Sequence, residues 1–341
     1  MTTLNKTQPL KFGVLGTSKL SQRSLLQPAR TSDYCEVVAI ASRDPQRARS
    51  FAHRFGIPRT FDSYAALLDD NDIQAVYIPL PNVHHREWVL RALSSGKHVL
   101  CEKPLGVNAD EVREMKETAA MHGRCLMEAF HHIHHPLLQQ LREKVSTSLG
   151  SPKHIMAQLC VGPPLAPSNR DDFRFHYNMG GGCLLDCGSY VTCLLQFLFP
   201  GTYQVEQAVA KVIAENIDGA MDAKLMLPNA TQTEISCSLI ERCLPWSWRC
   251  RIEVCGTDGK ATLSNFLAPN ILSSLVVTTS SERIKSQILL NRNTSYDYQL
   301  NTFCDSVLFG KSLVWDLEDS LRNSLVIDDL YRTAGLSIRG A

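Results

Sequence analysis

Four short segments, far apart in the chain, carry residue types that chemistry needs. Gly16-Thr17-Ser18-Lys19-Leu20-Ser21 follows an apolar run and stands where dinucleotide-binding proteins carry G-x-G-x-x-G. Gly16 can make the tight turn, and Ser18 and Ser21 are small enough to let backbone approach a pyrophosphate and a helix pack behind it. The next apolar run ends Ala41-Ser42-Arg43-Asp44, where the ribose selector sits. An acid at that tip would favour the free 2′-hydroxyl of NAD. Ser42 and Arg43 instead offer a hydroxyl and a guanidinium to a 2′-phosphate, so the sequence favours NADP(H), while Asp44 leaves NAD(H) open. Cys101-Glu102-Lys103-Pro104-Leu105 places a charged pair at the carboxyl edge of a sheet, where ligands bind in open α/β folds. Finally, Gly180-Gly181-Gly182 opens an apolar helical stretch on which Asp186 and Tyr190, four residues apart, share one face.

These residues need a frame. The first third alternates short apolar runs (Phe12 to Leu15, Val37 to Ala41, Ala75 to Leu80, His98 to Cys101, Arg124 to Phe130) with helix-period stretches at Ser63 to Leu68, Arg86 to Ser94 and Ala109 to His122. That rhythm predicts an α/β class domain, a doubly wound parallel sheet of Rossmann type, over residues 1–132. After Pro136 long alternating segments take over (Glu206 to Ala214, Ala223 to Leu227, Thr233 to Ile240, Trp248 to Cys255), with a turn at Gly256 to Gly259. They predict an α+β domain over 133–341 built on a large, mostly antiparallel open sheet. The last helical pattern, Ser320 to Ala334, is expected to pack back on the first domain.

Composition narrows the function. The 341 residues exceed one ordinary core of about 150, so two domains are expected. A hydrophobic share of 44% against 20% charged is globular, with no apolar run read as long enough to span a bilayer. Net charge is +1 with no basic stripe, which argues against nucleic acid as a partner. The polar start, Met1 to Lys11, resembles neither a secretory signal nor a transit peptide, so a cytoplasmic location is expected. The twelve cysteines are scattered without a CxxC pair, and Cys160, Cys193 and Cys237 sit inside apolar runs, as small buried hydrophobes do in a reducing compartment. His131, His132, His134 and His135 are dense enough to raise a metal site, but they precede Pro136 at a strand exit with no thiol to complete the set, so no metal is expected.

Taken together, the Gly16 turn, Pro81-Asn82-Val83-His84-His85, Glu102-Lys103-Pro104 and the Gly180 to Tyr190 segment resemble the Gfo/Idh/MocA oxidoreductase family over nearly the whole chain. Met127-Glu128-Ala129-Phe130 and His134-His135-Pro136 place the likeness near its branch of dimeric dihydrodiol dehydrogenases, NADP-dependent xylose dehydrogenases and nucleotide-sugar 3-ketoreductases. The resemblance implies hydride transfer between a nicotinamide and a sugar, polyol, vicinal diol or keto-sugar carbon. It implies Tyr190 as proton donor or acceptor, Lys103 as the ammonium that favours its phenolate, and Asp186 as acceptor for a substrate hydroxyl. Inositol-type relatives place histidine where Tyr190 stands. Pro79, Leu80, Asn82, His85, Glu102 and Lys103 are expected to join Gly16 to Leu20, Ser42 and Arg43 around the cofactor. Arg174, His134 and His135 are expected near the substrate. Ser18 and Ser21 depart from the family's glycines and put cofactor affinity in question.

Two other functions share this scaffold: a regulatory sensor that binds dinucleotide without turnover, and redox-assisted glycoside cleavage. The retained Lys103 and Tyr190 favour the dehydrogenase or ketoreductase. Trp246, Trp248, Ile252 and Val254 alternate as an outer sheet face would, the surface through which relatives often dimerise, and a helix-covered inner face fits the same pattern.

Overall fold

A computed structural model of the chain describes residues 8–161, 172–241 and 249–340. Its first sheet holds six parallel strands, β1 (Leu10–Leu15), β2 (Cys35–Ala41), β3 (Arg59–Phe61), β4 (Ala75–Ile78), β5 (His98–Cys101) and β6 (Leu126–Glu128), in the order 3-2-1-4-5-6. That order reverses at β1, and ligands in open α/β sheets bind at such a switch point. Central strands β1, β4 and β5 read as continuous apolar runs because both faces are covered, and Val14, Tyr77 and Leu100 are fully buried.

Helices α1 (Gln27–Thr31), α2 (Pro45–Phe55), α3 (Tyr64–Leu68), α4 (His85–Ser94) and α5 (Ala109–His122) connect the strands. The sequence pattern missed β3 and α2. Strand β3 is only three residues long, and α2 buries little beyond Ala48 and Ala52, so neither carries a strong apolar period. Local chemistry marks α2 better: Asp44 caps it by accepting the amide hydrogens of Gln46 and Arg47 at 2.9 and 3.2 Å, Pro45 occupies its first turn, and Gly56 ends it at φ +71°.

After α6 (Pro136–Thr147) comes the second sheet, with eight strands: β7 (Pro152–Cys160), β8 (Gln204–Ala214), β9 (Ile217–Leu227), β10 (Thr231–Ser238), β11 (Cys250–Gly256), β12 (Gly259–Ser264), β13 (Ile271–Thr279) and β14 (Arg283–Leu290). Their order is 14-13-12-11-7-10-9-8, antiparallel except for the β7–β10 pair. Helices α6 and α7 (Ser189–Leu198) cover its inner face. Ile252 and Val254 are buried there, beside Leu159, Leu194 and Leu263, which decides for the helix-covered inner face of the two the sequence left open; alternation defines two faces and not which one a helix covers. Trp246 and Trp248 lie outside the described residues.

Tyr177–Leu198 is long and apolar enough to cross a bilayer by length and composition, contrary to the sequence reading, but 94% of its apolar window is buried inside the protein and forms the core of the second layer. Both C-terminal helices reach back. Leu300, Phe303 and Cys304 of α8 (Ser295–Phe309) pack with Phe12 and Ile40 of the first sheet. In α9 (Leu317–Thr333), Leu321 joins the first domain's core while Ile327 and Leu330 join the second's.

Candidate active site

The cofactor end is set by one turn. At φ +105°, Gly16 occupies backbone space that favours glycine, and a Cβ there would lie 2.9 Å from Leu80 Cδ2. The chain then enters a π-turn, Gln22–Leu26, that runs into α1. Ser18 Oγ accepts the Leu20 amide hydrogen, and Ser21 is fully buried with its hydroxyl unpartnered. Thus the two serines that replace glycine are accommodated, at the cost of a dry hydroxyl.

A cleft of about 880 Å³ opens along this turn and the carboxyl ends of β2 and β4. Gly16 to Leu20, Ser42, Arg43, Pro79, Leu80, Asn82, Glu102 and Lys103 all line it, as the sequence proposed. Arg47 lines it too. Sequence reading missed Arg47, which sits in the first turn of α2 just beyond the Asp44 cap, while Arg43 precedes that cap. Asp44, the residue that kept NAD(H) open, also lines the cleft and caps α2 through one carboxylate oxygen. A cleft with two arginines beside a serine and a capped acid fits a 2′-phosphate, and the glycine cradle fits the pyrophosphate.

His85 does not line the cleft. It is fully buried, with Nδ1 2.8 Å from the Pro104 carbonyl and Nε2 2.8 Å from the Leu80 carbonyl, so it braces the cleft wall from behind.

A second cavity, about 710 Å³, meets the first at Glu102, Lys103, Arg174 and Asp186. Glu128 of β6 positions Lys103 by accepting the Leu105 amide hydrogen at 2.8 Å, just past the cis Lys103–Pro104 bond. Glu102 is buried and accepts from the Tyr77 hydroxyl at 2.5 Å; burial raises its pKa. Lys103 Nζ donates to the Asp186 carbonyl at 2.7 Å and to its carboxylate at 2.9 Å, which leaves its third N–H for a ligand. Arg174 Nε holds the other Asp186 oxygen at 2.9 Å while its Nη1 meets Asp172 at 3.1 Å. Burial opposes ionisation of Asp186, but the Lys103 and Arg174 cations outweigh it and bring its pKa to about 2.

The helix carrying these groups starts in a loop with no room for side chains. A Cβ on Gly182, at φ +124°, would lie 2.2 Å from Asp218 Oδ1. That carboxylate also accepts the Leu184 amide hydrogen at 2.6 Å and pairs with Arg339 at 2.9 Å, both ion-pair partners being fully buried. Arg339 Nε binds the Gly181 carbonyl. The C-terminal tail therefore clamps the glycine turn that aims Asp186 and Tyr190.

Tyr190 departs from expectation. The Lys103 ammonium sits 4.6 Å above the centre of its ring and not at its hydroxyl. Burial, followed by the nearby Tyr296, Glu102 and Asp186, pushes the Tyr190 pKa well above the usual 10. Burial thus favours the neutral phenol, and the Lys103 ammonium is hydrogen-bonded to Asp186 and not to the Tyr190 hydroxyl. Its hydroxyl faces His131 Nε2 at 3.4 Å. His134 and His135, expected at the substrate, are buried and line neither cavity; His135 caps α6 through Nδ1. His131 lines the second cavity in their place, with Arg23, Ser295 and Tyr296, none of which the sequence reading had placed at the site. Among the described residues no group of three His, Cys, Asp or Glu side chains could hold a metal ion.

Both parts of the chain resemble known proteins. Residues 10–130 match the oxidoreductase family with an NAD-binding Rossmann fold, GFO/IDH/MocA, and residues 138–262 match the GFO/IDH/MocA C-terminal domain. The chain is 31% identical to a D-xylose 1-dehydrogenase (NADP(+)) of Haloferax volcanii, over 95% of this chain and 97% of that one. It is 32% identical to trans-1,2-dihydrobenzene-1,2-diol dehydrogenase of Mus musculus over 77% of each. A crystal structure of a 3-ketoreductase from Actinomadura kijaniata, in complex with NADP and TDP-benzene, superposes with a TM-score of 0.84 at 26% identity, covering 95% of this chain and 98% of that one.

Proposed function

Because the chain belongs to the Gfo/Idh/MocA oxidoreductase family, we propose that it interconverts a hydroxyl and a carbonyl on a sugar, polyol, vicinal diol or keto sugar at the junction of its two cavities, with NADP(H) as partner. The observation that carries this reading is the meeting of Lys103, Asp186 and Tyr190 where the cofactor cleft opens into the second cavity. When bound, the nicotinamide accepts or supplies a hydride. Gly16 to Leu20 would hold the pyrophosphate, and Ser42, Arg43 and Arg47 the 2′-phosphate.

The rest belongs to the chain. Lys103 points its free N–H at the reacting oxygen and stabilises negative charge that develops there. Asp186 fixes Lys103 and Arg174 and keeps one lone pair on each oxygen for a substrate hydroxyl. Tyr190, a neutral phenol, protonates the oxygen in reduction, and in oxidation it takes up the alcohol proton as it gives up its own. Arg174 closes the seam between the cavities.

Two wider readings accompany this. The uncovered face of the eight-stranded sheet pairs two copies into a homodimer or larger assembly, and light scattering tests it. The buried thiols of Cys35, Cys101, Cys193 and Cys237 suit a reducing cytoplasm.

The decisive assay follows reduced-cofactor absorbance with NADP(H) and NAD(H) in parallel, across D-xylose and other aldoses, polyols, aromatic trans-diols and dTDP-keto sugars. Turnover with NADP(H) that disappears in Lys103→Ala is expected. Tight NADP(H) binding with no turnover across the panel would overturn the reading in favour of a sensor.

A further inference from the structure

The mechanism leaves one proton unexplained. Tyr190 is half-buried at the wall of the second cavity; a phenol that gives its proton to a substrate oxygen must be reprotonated, and Lys103, held on Asp186 over the ring face, does not contact its hydroxyl. Among the described residues one ring nitrogen reaches it. His131, in the short helix His131–His134 after β6, presents Nε2 at 3.4 Å, a loose contact of the kind that tightens when substrate closes a site. Its Nδ1 lies 2.7 Å from Ser295 Oγ at the start of α8. Tyr296 stacks on the imidazole at a ring separation of 4.0 Å, which fixes the ring plane between the two hydroxyls. His131 and Ser295 both line the second cavity, beside the exposed Arg292 and Asn293 at its rim.

We propose that His131 is a positioning residue that carries the proton between the Tyr190 hydroxyl and cavity water by way of Ser295. This rests on Tyr190 handling the proton at the reacting oxygen. In reduction, the carbonyl carbon receives the hydride and its oxygen takes the Tyr190 proton. The Nε2 proton of His131 moves to the Tyr190 oxygen, Nδ1 takes the Ser295 proton, and Ser295 takes one from water. Oxidation runs the same shifts in reverse. Carbonyl, hydride and one solvent proton thus give the alcohol, and His131 exchanges one neutral tautomer for the other, the first being restored by proton exchange with cavity water before the next turnover. No imidazolium forms in the dry site, which matters because burial, with His132, Arg23 and Lys103 adding to it, holds the His131 pKa well below 6.5.

The test has two parts. In the NADP⁺ holoenzyme labelled with ¹⁵N-histidine, His131 is expected as a neutral ring, with its Nε2 signal moved by Tyr190→Phe and its Nδ1 signal moved by Ser295→Ala. This part needs neither substrate nor a His131 variant that folds. In turnover, His131→Gln is expected to lose about tenfold to a hundredfold in kcat with KM nearly unchanged, and to gain a larger solvent isotope effect. Nitrogen signals that ignore both hydroxyl deletions, or a His131→Gln enzyme with wild-type kcat while Tyr190→Phe is crippled, overturn the relay alone. Normal turnover by Tyr190→Phe overturns the role of Tyr190, and the relay with it.

Discussion

On one flank of Tyr190 every polar group is a paired charge, while its hydroxyl on the other flank meets neutral groups. Lys103, Asp186, Arg174 and Asp172 alternate in sign through contacts of 2.9 to 3.1 Å, so none of them can rotate away without leaving a partner unsatisfied. His131 approaches the hydroxyl itself, with Ser295 at its other ring nitrogen and Tyr296 stacked on its ring. There burial raises the Tyr190 and Tyr296 pKa values and lowers that of His131. The contrast separates two tasks. Fixed charge orients the substrate and stabilises the oxygen, which needs rigidity; the proton needs groups that can gain or lose it without creating charge in a dry site.

Removing the charged flank should cost most. Lys103→Ala is expected to lower kcat about a thousandfold, as loss of a fixed donor to a developing oxyanion does, measured by steady-state turnover with NADP(H). Tyr190→Phe should lower kcat about a hundredfold while cofactor affinity, measured by fluorescence titration, stays unchanged. If the order of the two reversed, the division of tasks would be wrong.

Asp186 sharpens the contrast through pH. Its pKa of about 2 in the folded protein lies below the unfolded value of 3.8, so its contribution to stability is present above 3.8 and is lost as pH falls through 2. Urea midpoints of Asp186→Asn should therefore lack an acid-side decline of about 2 kcal/mol that the wild type shows in that window. The smallest effect is at the far end of the cofactor cleft. Arg47→Ala should weaken NADP⁺ about tenfold and leave NAD⁺ affinity unchanged, as read by calorimetry.

The charged flank was legible in the sequence and the neutral flank was not. Asp186 and Tyr190 announce themselves by a helical spacing after three glycines, and Lys103 by its place at a strand end; both signals are local. His131 meets Ser295 across 164 residues, and within its own cluster nothing distinguishes it from His134 or His135. All three are buried, and only the turn of the chain after β6 decides which one faces the cavity. The same limit explains Ile252 and Val254: period two shows that a strand has a buried face, and the covering helices decide which. The geometry of the Lys103–Tyr190 pair was hidden for another reason. Proximity was read correctly, but Asp186 competes for the ammonium, and competition between partners is not written in spacing.

The central claim is that Tyr190 stays a neutral phenol beside a committed Lys103. Its most direct test is the difference absorbance of wild type against Tyr190→Phe, titrated upward from neutral pH and read at the phenolate band. The account predicts no Tyr190 phenolate until above about pH 10, where unperturbed tyrosine ionises. A phenolate appearing near neutral pH would contradict it and return Lys103 to the role of ionising its neighbour.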